Sequence, residues 1–187
     1  MQNNEVLTAI KNRRSIRKYK QTAVPEELLQ QIVEAGRQCA SANNMQPWFF
    51  SVCTNAEIND RVVGLFRLAI ERSGQTYARF AADREYHNFY HAPAVIYIAG
   101  KTDSAFKWID PSAATQFMAL AAHSLGIGSV IVGSVKPAFL LPESKEVMSE
   151  LRIPDGYEMI LSLALGYADE APESKERIDG NFAFIRS

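Results

Sequence analysis

A chain of 187 residues in which 47% are hydrophobic and 22% are charged has the size and composition of one globular domain. Its 20 cations and 21 anions give a formal net charge of −1, which argues against general binding to nucleic acid or to a membrane surface. Two cysteines are too few for the disulfide framework of a small secreted domain. We therefore predict a single domain over residues 1–187 with a small-molecule partner, and no nucleic-acid or membrane partner.

Neither a leader nor a membrane segment is predicted. The opening residues, MQNNEVLTAI, lack the cationic stretch and apolar run of a secretory signal. No apolar run reaches the roughly 18 residues that a membrane-spanning helix needs. We therefore expect a soluble protein of the cytoplasm.

The first predicted elements are a helix at 4–12 and a longer helix that begins after Pro25, a residue favoured at helix starts. The apolar stripe of the longer helix is predicted to be Leu28, Leu29, Ile32, Val33 and Gly36. WFFSVC, residues 48–53, has the aromatic and β-branched content of a strand. Asn55 is predicted to cap a third helix at 56–73.

The second half begins with residues 74–90, which lack a clean hydrophobic period and are predicted to form a partly helical excursion. PAVIYIAG, between Pro93 and Gly100, reads as a buried strand. The remaining predicted elements are a helix from Asp110 to Gly126, a strand at 129–132, a helix at 142–151, a strand at 158–165 and a last extended segment, NFAFI.

This order of elements limits the fold class. Two helices precede the first strand, which argues against a regular doubly wound domain. No GxGxxG follows a predicted strand and no GxxxxGK[ST] occurs, so Rossmann and P-loop sites are not predicted. Several helices around a sheet of about four or five strands remain, which is an α/β or α+β arrangement.

The most distinctive stretch is KNRRSIRKYK, Lys11 to Lys20, which places six cations in ten residues. Phosphate esters are bound by arginine forks and hydroxyl donors. The stretch offers four such residues: Arg13, Arg14, Ser15 and Arg17. Two other interpretations are open: the cations stabilise the end of the first helix, or they form an arm that binds nucleic acid.

Two further segments carry polar side chains in predicted loops. SANNMQPWFF, Ser41 to Phe50, contains three amides whose donors and acceptors suit the edge of a heterocycle. Alternatively, it is a polar turn ended by Pro47. ESKERI, near the C-terminus, brings Lys175 and Arg177, which are either further anion ligands or ordinary surface charges.

A metal site is not predicted from the histidines. His87 and His91 are four residues apart and fit one face of a helix. No third ligand follows at a recognisable spacing. We therefore expect no bound metal.

Taken in order, RRSIRKY, SxxNxQPW and LALGYADEAPESKERI resemble the FMN-dependent nitroreductase family. APAVIYIAG and LAAHSLGIGSVIVGS also resemble that family's central strand and helix–strand unit, and the resemblance covers about residues 6–178. It implies an α+β, nitroreductase-like fold in which a central, mostly antiparallel sheet is flanked by helices. It also implies a homodimer that exchanges C-terminal arms, with FMN bound between the subunits. The excursion at 74–90 would then lie over the active site.

The resemblance assigns the basic stretch to FMN. The residues implied at the FMN phosphate are Arg13, Arg14, Ser15, Lys175 and Arg177. Arg17 would reach the N1–O2 edge of the flavin, where a fixed cation stabilises the charge that reduction places there.

The other implied contacts lie in two segments. Ser41 and Asn44 match the family's serine and asparagine, whereas Ala40 and Ala42 replace a usual proline and a second serine, so that one hydroxyl donor is lost. Gln46 and Trp48 would support this loop. A second set is expected to face flavin N5 and O4 through its backbone, with glycine leaving N5 accessible: Val132, Gly133 and Ser134.

The resemblance also implies the activity. Hydride would pass from NADH or NADPH to flavin N5, and the electrons would then pass by ping-pong turnover to a nitroaromatic, quinone or similar planar acceptor. No side chain is expected to act as a catalytic acid, base or nucleophile. The alternative is a protein that stores, senses or delivers FMN with little NAD(P)H turnover.

The aromatic residues of the excursion have two interpretations. They either roof the pocket and stack on planar acceptors, or belong to the core or a dimer interface. They are Tyr77, Phe80, Tyr86, Phe89 and Tyr90.

Overall fold

The computed structural model of the chain describes residues 4–73 and 85–186. Within these ranges the chain forms five α-helices and four β-strands. They are α1 (Glu5–Asn12), α2 (Glu26–Arg37), β1 (Trp48–Cys53), α3 (Ala56–Ser73), β2 (Ala94–Lys101), α4 (Ile109–Ser124), β3 (Gly128–Val132), α5 (Ser144–Glu150) and β4 (Tyr157–Gly166). All nine were predicted from the sequence, with ends displaced by at most two residues.

Local side-chain chemistry explains where the helices begin. The Asn4 side chain accepts hydrogen bonds from the backbone N–H groups of Val6 (2.9 Å) and Leu7 (3.2 Å) at the start of α1. The predicted cap of α3 is confirmed, because Asn55 accepts from the N–H of Glu57 at 2.9 Å. These caps satisfy backbone donors that have no partner within their own helix.

The four strands form one antiparallel sheet in the order β1-β2-β4-β3, which confirms the predicted antiparallel sheet flanked by helices. β2 lies in its interior and is buried except for Lys101. Its side chains alternate between two layers, as the pleat of a strand requires. Val95, Tyr97 and Ala99 pack with α3 on one face, and Ala94, Ile96 and Ile98 pack with α2 and α4 on the other.

The two helices on one face of the sheet approach each other closely at Gly36. A Cβ atom added there would lie 2.7 Å from Cγ of Met118 in α4. Glycine in the buried stripe of α2 therefore permits a helix contact that alanine would obstruct. Leu29, Ile32 and Gly36 of the predicted stripe are buried, and Leu28 and Val33 are partly buried.

Several apolar side chains remain on the surface of the single chain. No residue of α1 is buried, and Val6 and Ile10 are 64% and 53% exposed. The C-terminal segment NFAFI, residues 181–185, forms no strand and is also exposed. An apolar helix face and an apolar tail in water are unfavourable, so both are candidates for burial against another molecule.

Of the predicted excursion at 74–90, the structure describes residues 85–90. Tyr77 and Phe80 lie outside the described residues, whereas residues 85–91 form a turn that is not helical. Phe89 is fully buried in the core, as one of the two interpretations of the aromatic residues expects. Among the described helices, none is long and apolar enough to cross a lipid bilayer.

Candidate functional site

The segment after α1, residues 13–18 (the basic loop), lies beside the start of β3 and the chain that follows β4. Ser15 forms a bridge with Ser129, and the N–H of Ile16 donates to the Ser129 carbonyl at 2.9 Å. Glu170 accepts from the backbone N–H groups of Arg17 and Lys18. These contacts bring the C-terminal segment to the basic loop although more than 150 residues separate them.

The cations predicted at a phosphate lie together around one cleft of about 240 Å³. Its lining residues are Arg13, Arg14, Ser15, Arg17, Pro172, Glu173, Lys175 and Arg177. In the part of the chain that the structure describes, none of the five cations forms an ion pair. Burial lowers the pKa of Arg13, and the nearby charges of Arg14 and Arg177 add to that effect. Five cations against one carboxylate, Glu173, leave the cleft with an excess of positive charge that suits an anionic ligand.

The side chains of the basic loop differ in what they contact. Arg14 donates to the carbonyls of Lys11 (2.6 Å) and Arg13 (2.9 Å), so its guanidinium group is used at the end of α1. The guanidinium carbon of Arg17 lies 5.9 Å from the centre of the Tyr90 ring, a cation–π contact. The helix-end interpretation therefore applies to Arg14, whereas Arg17 points towards the 85–91 turn.

Residues 41–46 (the amide loop) form a compact turn before β1. The Ser41 hydroxyl accepts from the N–H of Gln46 at 2.9 Å, and the Asn44 side chain accepts from the Gln46 amide at 3.1 Å. The N–H of Ala42 donates to Asp110 in α4 at 3.1 Å. Gln46 thus holds the loop, as expected, and part of its amide chemistry is used internally. Ala40, which precedes the loop, is exposed.

Within one chain, the sheet places the amide loop and the basic loop at opposite ends of strand β2. The amide loop leads into Trp48, which pairs with Gly100 at the end of β2. The basic loop lies beside Ser129, whose partner Leu165 pairs with Ala94 at the start of β2. The six steps from 94 to 100 correspond to about 20 Å at 3.3 Å per residue. The structure therefore does not bring these two predicted sets together.

The third predicted set follows the end of β3. Val132 is buried, Gly133 is exposed, and a Cβ atom at Gly133 would meet no other atom within 4 Å. Nothing within the described chain therefore requires glycine at this position. From Ser129, beside the basic loop, to Val132 at the end of β3 the strand covers about 10 Å at 3.3 Å per residue.

Ser134 contacts two residues of the 85–91 turn that sequence reasoning did not connect with it. Its hydroxyl accepts from the Asn88 amide at 3.1 Å. Burial raises the pKa of Tyr86, and a hydrogen bond with Ser134 opposes that rise. Since Tyr90 of the same turn contacts Arg17, this turn touches both the basic loop and Ser134. Asn88 carried no sequence signal beyond being polar within an aromatic stretch.

The histidines acquire a third neighbour that the sequence did not reveal. Ligand atoms of Asp60, His87 and His91 lie within 4.8 Å of one another. His87 Nδ1 accepts from the N–H groups of Phe89 and His91, both at 3.2 Å, and Nε2 lies 3.0 Å from Asp60. Nε2 must therefore carry the hydrogen, which leaves His87 no free lone pair for a metal ion. This histidine instead ties the 85–91 turn to α3.

Comparisons with known proteins agree with this architecture. A family model described as the Nitroreductase family matches residues 10–167. A Methanothermobacter thermautotrophicus protein named as an NADH dehydrogenase/NAD(P)H nitroreductase is 33% identical over 182 residues, covering 94% of this chain and 83% of the relative.

Two solved structures are similar over nearly their whole length. A nitroreductase with bound FMN from Bacteroides fragilis has a TM-score of 0.93 and 27% identity, covering 98% of this chain and 100% of its own. A nitroreductase with bound FMN from Desulfitobacterium hafniense has a TM-score of 0.89 and 29% identity, with the same coverage. These matches confirm the fold that the resemblance implied.

Proposed function

Because the chain belongs to the nitroreductase family, we propose that it binds FMN and acts as an NAD(P)H-dependent oxidoreductase. The observation that carries the proposal is the cleft of about 240 Å³ lined by the basic loop, Lys175 and Arg177. Its cations form no ion pair with the described residues. An anion of matching charge would relieve their mutual repulsion.

The donors present fit the phosphate and the ring of FMN. Arg13, Lys175 and Arg177 supply charged donors, and Ser15 supplies a hydroxyl, in one cleft. The chain from Ile131 to Ser134, in which Ile131, Gly133 and Ser134 are not buried, provides a further span at the end of β3. We assign the phosphate to the cleft and the ring to this span, with the backbone of residues 132–134 at its N5–O4 edge.

Arg17 is assigned to the opposite, N1–O2 edge of the ring. Its backbone is fixed by Glu170 and its guanidinium group contacts Tyr90. A cation held there in advance stabilises negative charge as it develops, without reorganisation at that moment. FMN, when bound, supplies two-electron transfer from NAD(P)H to a nitroaromatic, quinone or similar planar acceptor in ping-pong turnover. The protein contributes binding, orientation and electrostatics.

We further propose that the functional protein is a homodimer in which each FMN contacts both chains. The amide loop leads into β1 and residues 132–134 end β3, the two edge strands of the sheet, which β2 and β4 separate by about 14 Å at 4.8 Å per strand, too far for both to contact the same ring. Ala40, Ser41, Ala42 and Asn44 would therefore come from a second copy. The exposed apolar residues of α1, Val6, Leu7 and Ile10, offer a surface for this association.

The C-terminal segment is proposed to be an arm that lies on the other subunit. All residues from 173 to 186 are exposed in the single chain, and Phe182, Phe184 and Ile185 are among them. Within the described residues β1 pairs only with β2, so one of its edges has unpaired backbone donors and acceptors. An extended arm along that edge would pair the free backbone groups of β1 and bury the apolar side chains of the arm.

The test is the visible absorption spectrum of the purified protein, followed by anaerobic addition of NADH and then NADPH. A yellow protein that is bleached by either nucleotide supports the oxidoreductase. A yellow protein that both nucleotides leave unchanged favours an FMN carrier instead. A protein that stays colourless after incubation with FMN and gel filtration contradicts the proposal.

A further inference from the structure

Asn88 is a buried amide whose side chain, among the described residues, is hydrogen-bonded to Ser134. Its side chain is 0% exposed, and its amide donates to the Ser134 hydroxyl at 3.1 Å. Its other polar atom, Oδ1, is buried without a hydrogen-bond partner among the described residues. An unpaired buried carbonyl is destabilising, and an apolar residue of similar size, leucine, would avoid that cost. The useful part of this side chain is therefore its N–H donor.

The direction of this hydrogen bond constrains the Ser134 hydroxyl. An amide NH₂ group only donates, so Ser134 uses a lone pair towards Asn88. Its own hydrogen must then point away from Asn88. Tyr86 is the other hydrogen-bond partner of Ser134, and a neutral phenol can donate to the second lone pair of Oγ. Ser134 is partly exposed, so in that arrangement its hydrogen is available to a group bound beside the end of β3.

The 85–91 turn is well fixed for such a task. His87 links it to Asp60 at 3.0 Å and accepts two of its backbone N–H groups. Tyr90 of the same turn contacts Arg17. One rigid turn therefore reaches the two residues, Ser134 and Arg17, that are assigned to opposite edges of the ring.

We propose that Asn88 is a positioning residue that holds the Ser134 hydroxyl as a hydrogen-bond donor to the N5–O4 edge of bound FMN. The inference rests on the proposed function. The acceptor at that edge in both oxidation states is the O4 carbonyl, because N5 gains a hydrogen on reduction. A donor fixed at O4 stabilises the share of the added charge that this carbonyl carries, and so favours reduced over oxidised FMN. FMN affinity, which depends mainly on the phosphate cleft, should change little.

The test compares the midpoint potential and the FMN dissociation constant of the holoprotein with those of Asn88→Asp, Asn88→Leu and Ser134→Ala. In Asn88→Asp the carboxylate accepts from Ser134, so the hydroxyl no longer donates to the ring. At a fixed potential the ratio of reduced to oxidised FMN should fall about tenfold in this variant and in Ser134→Ala. Asn88→Leu should show a smaller fall, and every FMN dissociation constant should stay within about threefold of wild type.

A double substitution separates positioning from a direct charge effect. In the Ser134→Ala background, Asn88→Asp should cause no further change in the midpoint potential, because the Ser134 hydroxyl through which Asn88 acts is already absent. A further fall there, or an unchanged potential in Asn88→Asp alone, overturns the inference.

Tyr86→Phe tests the same assignment with Asn88 intact, should the Asn88 variants not fold. If Asn88 orients Ser134, removing the Tyr86 hydroxyl should leave the midpoint potential unchanged. A fall as large as that of Ser134→Ala would assign the orientation to Tyr86 and overturn the inference. A wild-type protein that binds no FMN, by contrast, refutes the proposed function itself.

Discussion

At the scale of single residues, identical side-chain types have different tasks. Arg14 donates to carbonyls at the end of α1, whereas Arg17, three residues later, lies against Tyr90. Arg13 lies in the cleft with Arg177. Burial lowers the pKa of Arg13, and the charges of Arg14 and Arg177 lower it further. Under the proposed function, this basic stretch supplies a phosphate ligand, Arg13, a helix-end donor, Arg14, and a ring-edge cation, Arg17, in that order.

The separate role of Arg17 gives a prediction about rates. Arg17→Ala should slow reduction of the FMN-saturated protein by NAD(P)H at least about tenfold, because a charge opposite the developing negative charge is lost. The FMN dissociation constant should rise by no more than about threefold, since the phosphate cleft keeps its other cations. Stopped-flow absorbance and FMN titration measure the two quantities.

Arg177→Ala is the matched control for Arg17. It removes a cation from the same cleft but at the phosphate side. It should weaken FMN binding and leave the reduction rate of the saturated protein nearly unchanged. Equal losses of both quantities in both variants would contradict the assignment of Arg17 to the ring edge.

At the scale of elements, the 85–91 turn is held by a histidine rather than by regular hydrogen bonding. His87 accepts from two backbone N–H groups and donates to Asp60 on α3. Burial lowers the pKa of His87 below its ordinary value of 6.5; the contact with Asp60 opposes this, and His91 and Arg67 add to it. The turn therefore depends on a neutral imidazole.

This dependence has a defined sign with pH. A histidine whose folded-state pKa is depressed stabilises the fold above its unfolded pKa and loses that contribution as pH falls. The free energy of unfolding should therefore decrease below about pH 6.5, by at most about 1.4 kcal/mol per pH unit from this group. Urea unfolding between pH 5.5 and 7.5 measures the slope.

Two variants isolate the contribution of His87. His87→Gln should be less stable at neutral pH and should lose part of the slope, because the titrating group is gone. His123→Gln, at the last turn of α4 and outside the turn, should keep the wild-type slope. An unchanged slope in His87→Gln would show that another group causes the pH dependence.

At the scale of the whole molecule, one chain keeps the residues proposed to contact FMN in two separate places on its sheet. The cation cleft and Ser134 lie along one edge, and the amide loop lies before β1. The surface also leaves α1 and residues 181–185 with exposed apolar side chains. Both features are accounted for if a second copy completes each site.

The arm proposal predicts a coupled loss. Deleting residues 180–187 should lower the sedimentation coefficient at micromolar concentration and weaken FMN binding by about tenfold or more, because the dimer and both sites share the interface. Analytical ultracentrifugation and FMN titration measure the two effects. A truncated protein with unchanged sedimentation would contradict arm exchange.

A second variant tests the apolar content of the arm at full length. Phe182→Ser combined with Phe184→Ser keeps the chain length but removes the two exposed aromatic rings. It should reproduce most of the loss seen on deletion, since apolar burial is the main source of association. Wild-type behaviour here, with a loss on deletion, would indicate that backbone pairing carries the contact.

The sequence alone determined the nine elements and the fold class to which they belong. Hydrophobic period, capping residues and proline positions act within a few residues, so they predicted α3 and β1 at their observed ends. It also identified the cations of the basic loop and of residues 175–177 as one group, through a resemblance rather than through geometry. They share one cleft because the chain after β4 returns to the basic loop, where Glu170 accepts hydrogen bonds from two backbone N–H groups. No local sequence pattern reveals this contact.

Only the tertiary structure decided which polar groups meet. Sheet order and register, set by packing of distant strands, separate the amide loop from the basic loop. The same packing brings Asp60 to His87 and Asn88 to Ser134, residues 27 and 46 positions apart. Local periodicity carries no information on such contacts, because they arise from how elements pack rather than from how each one forms.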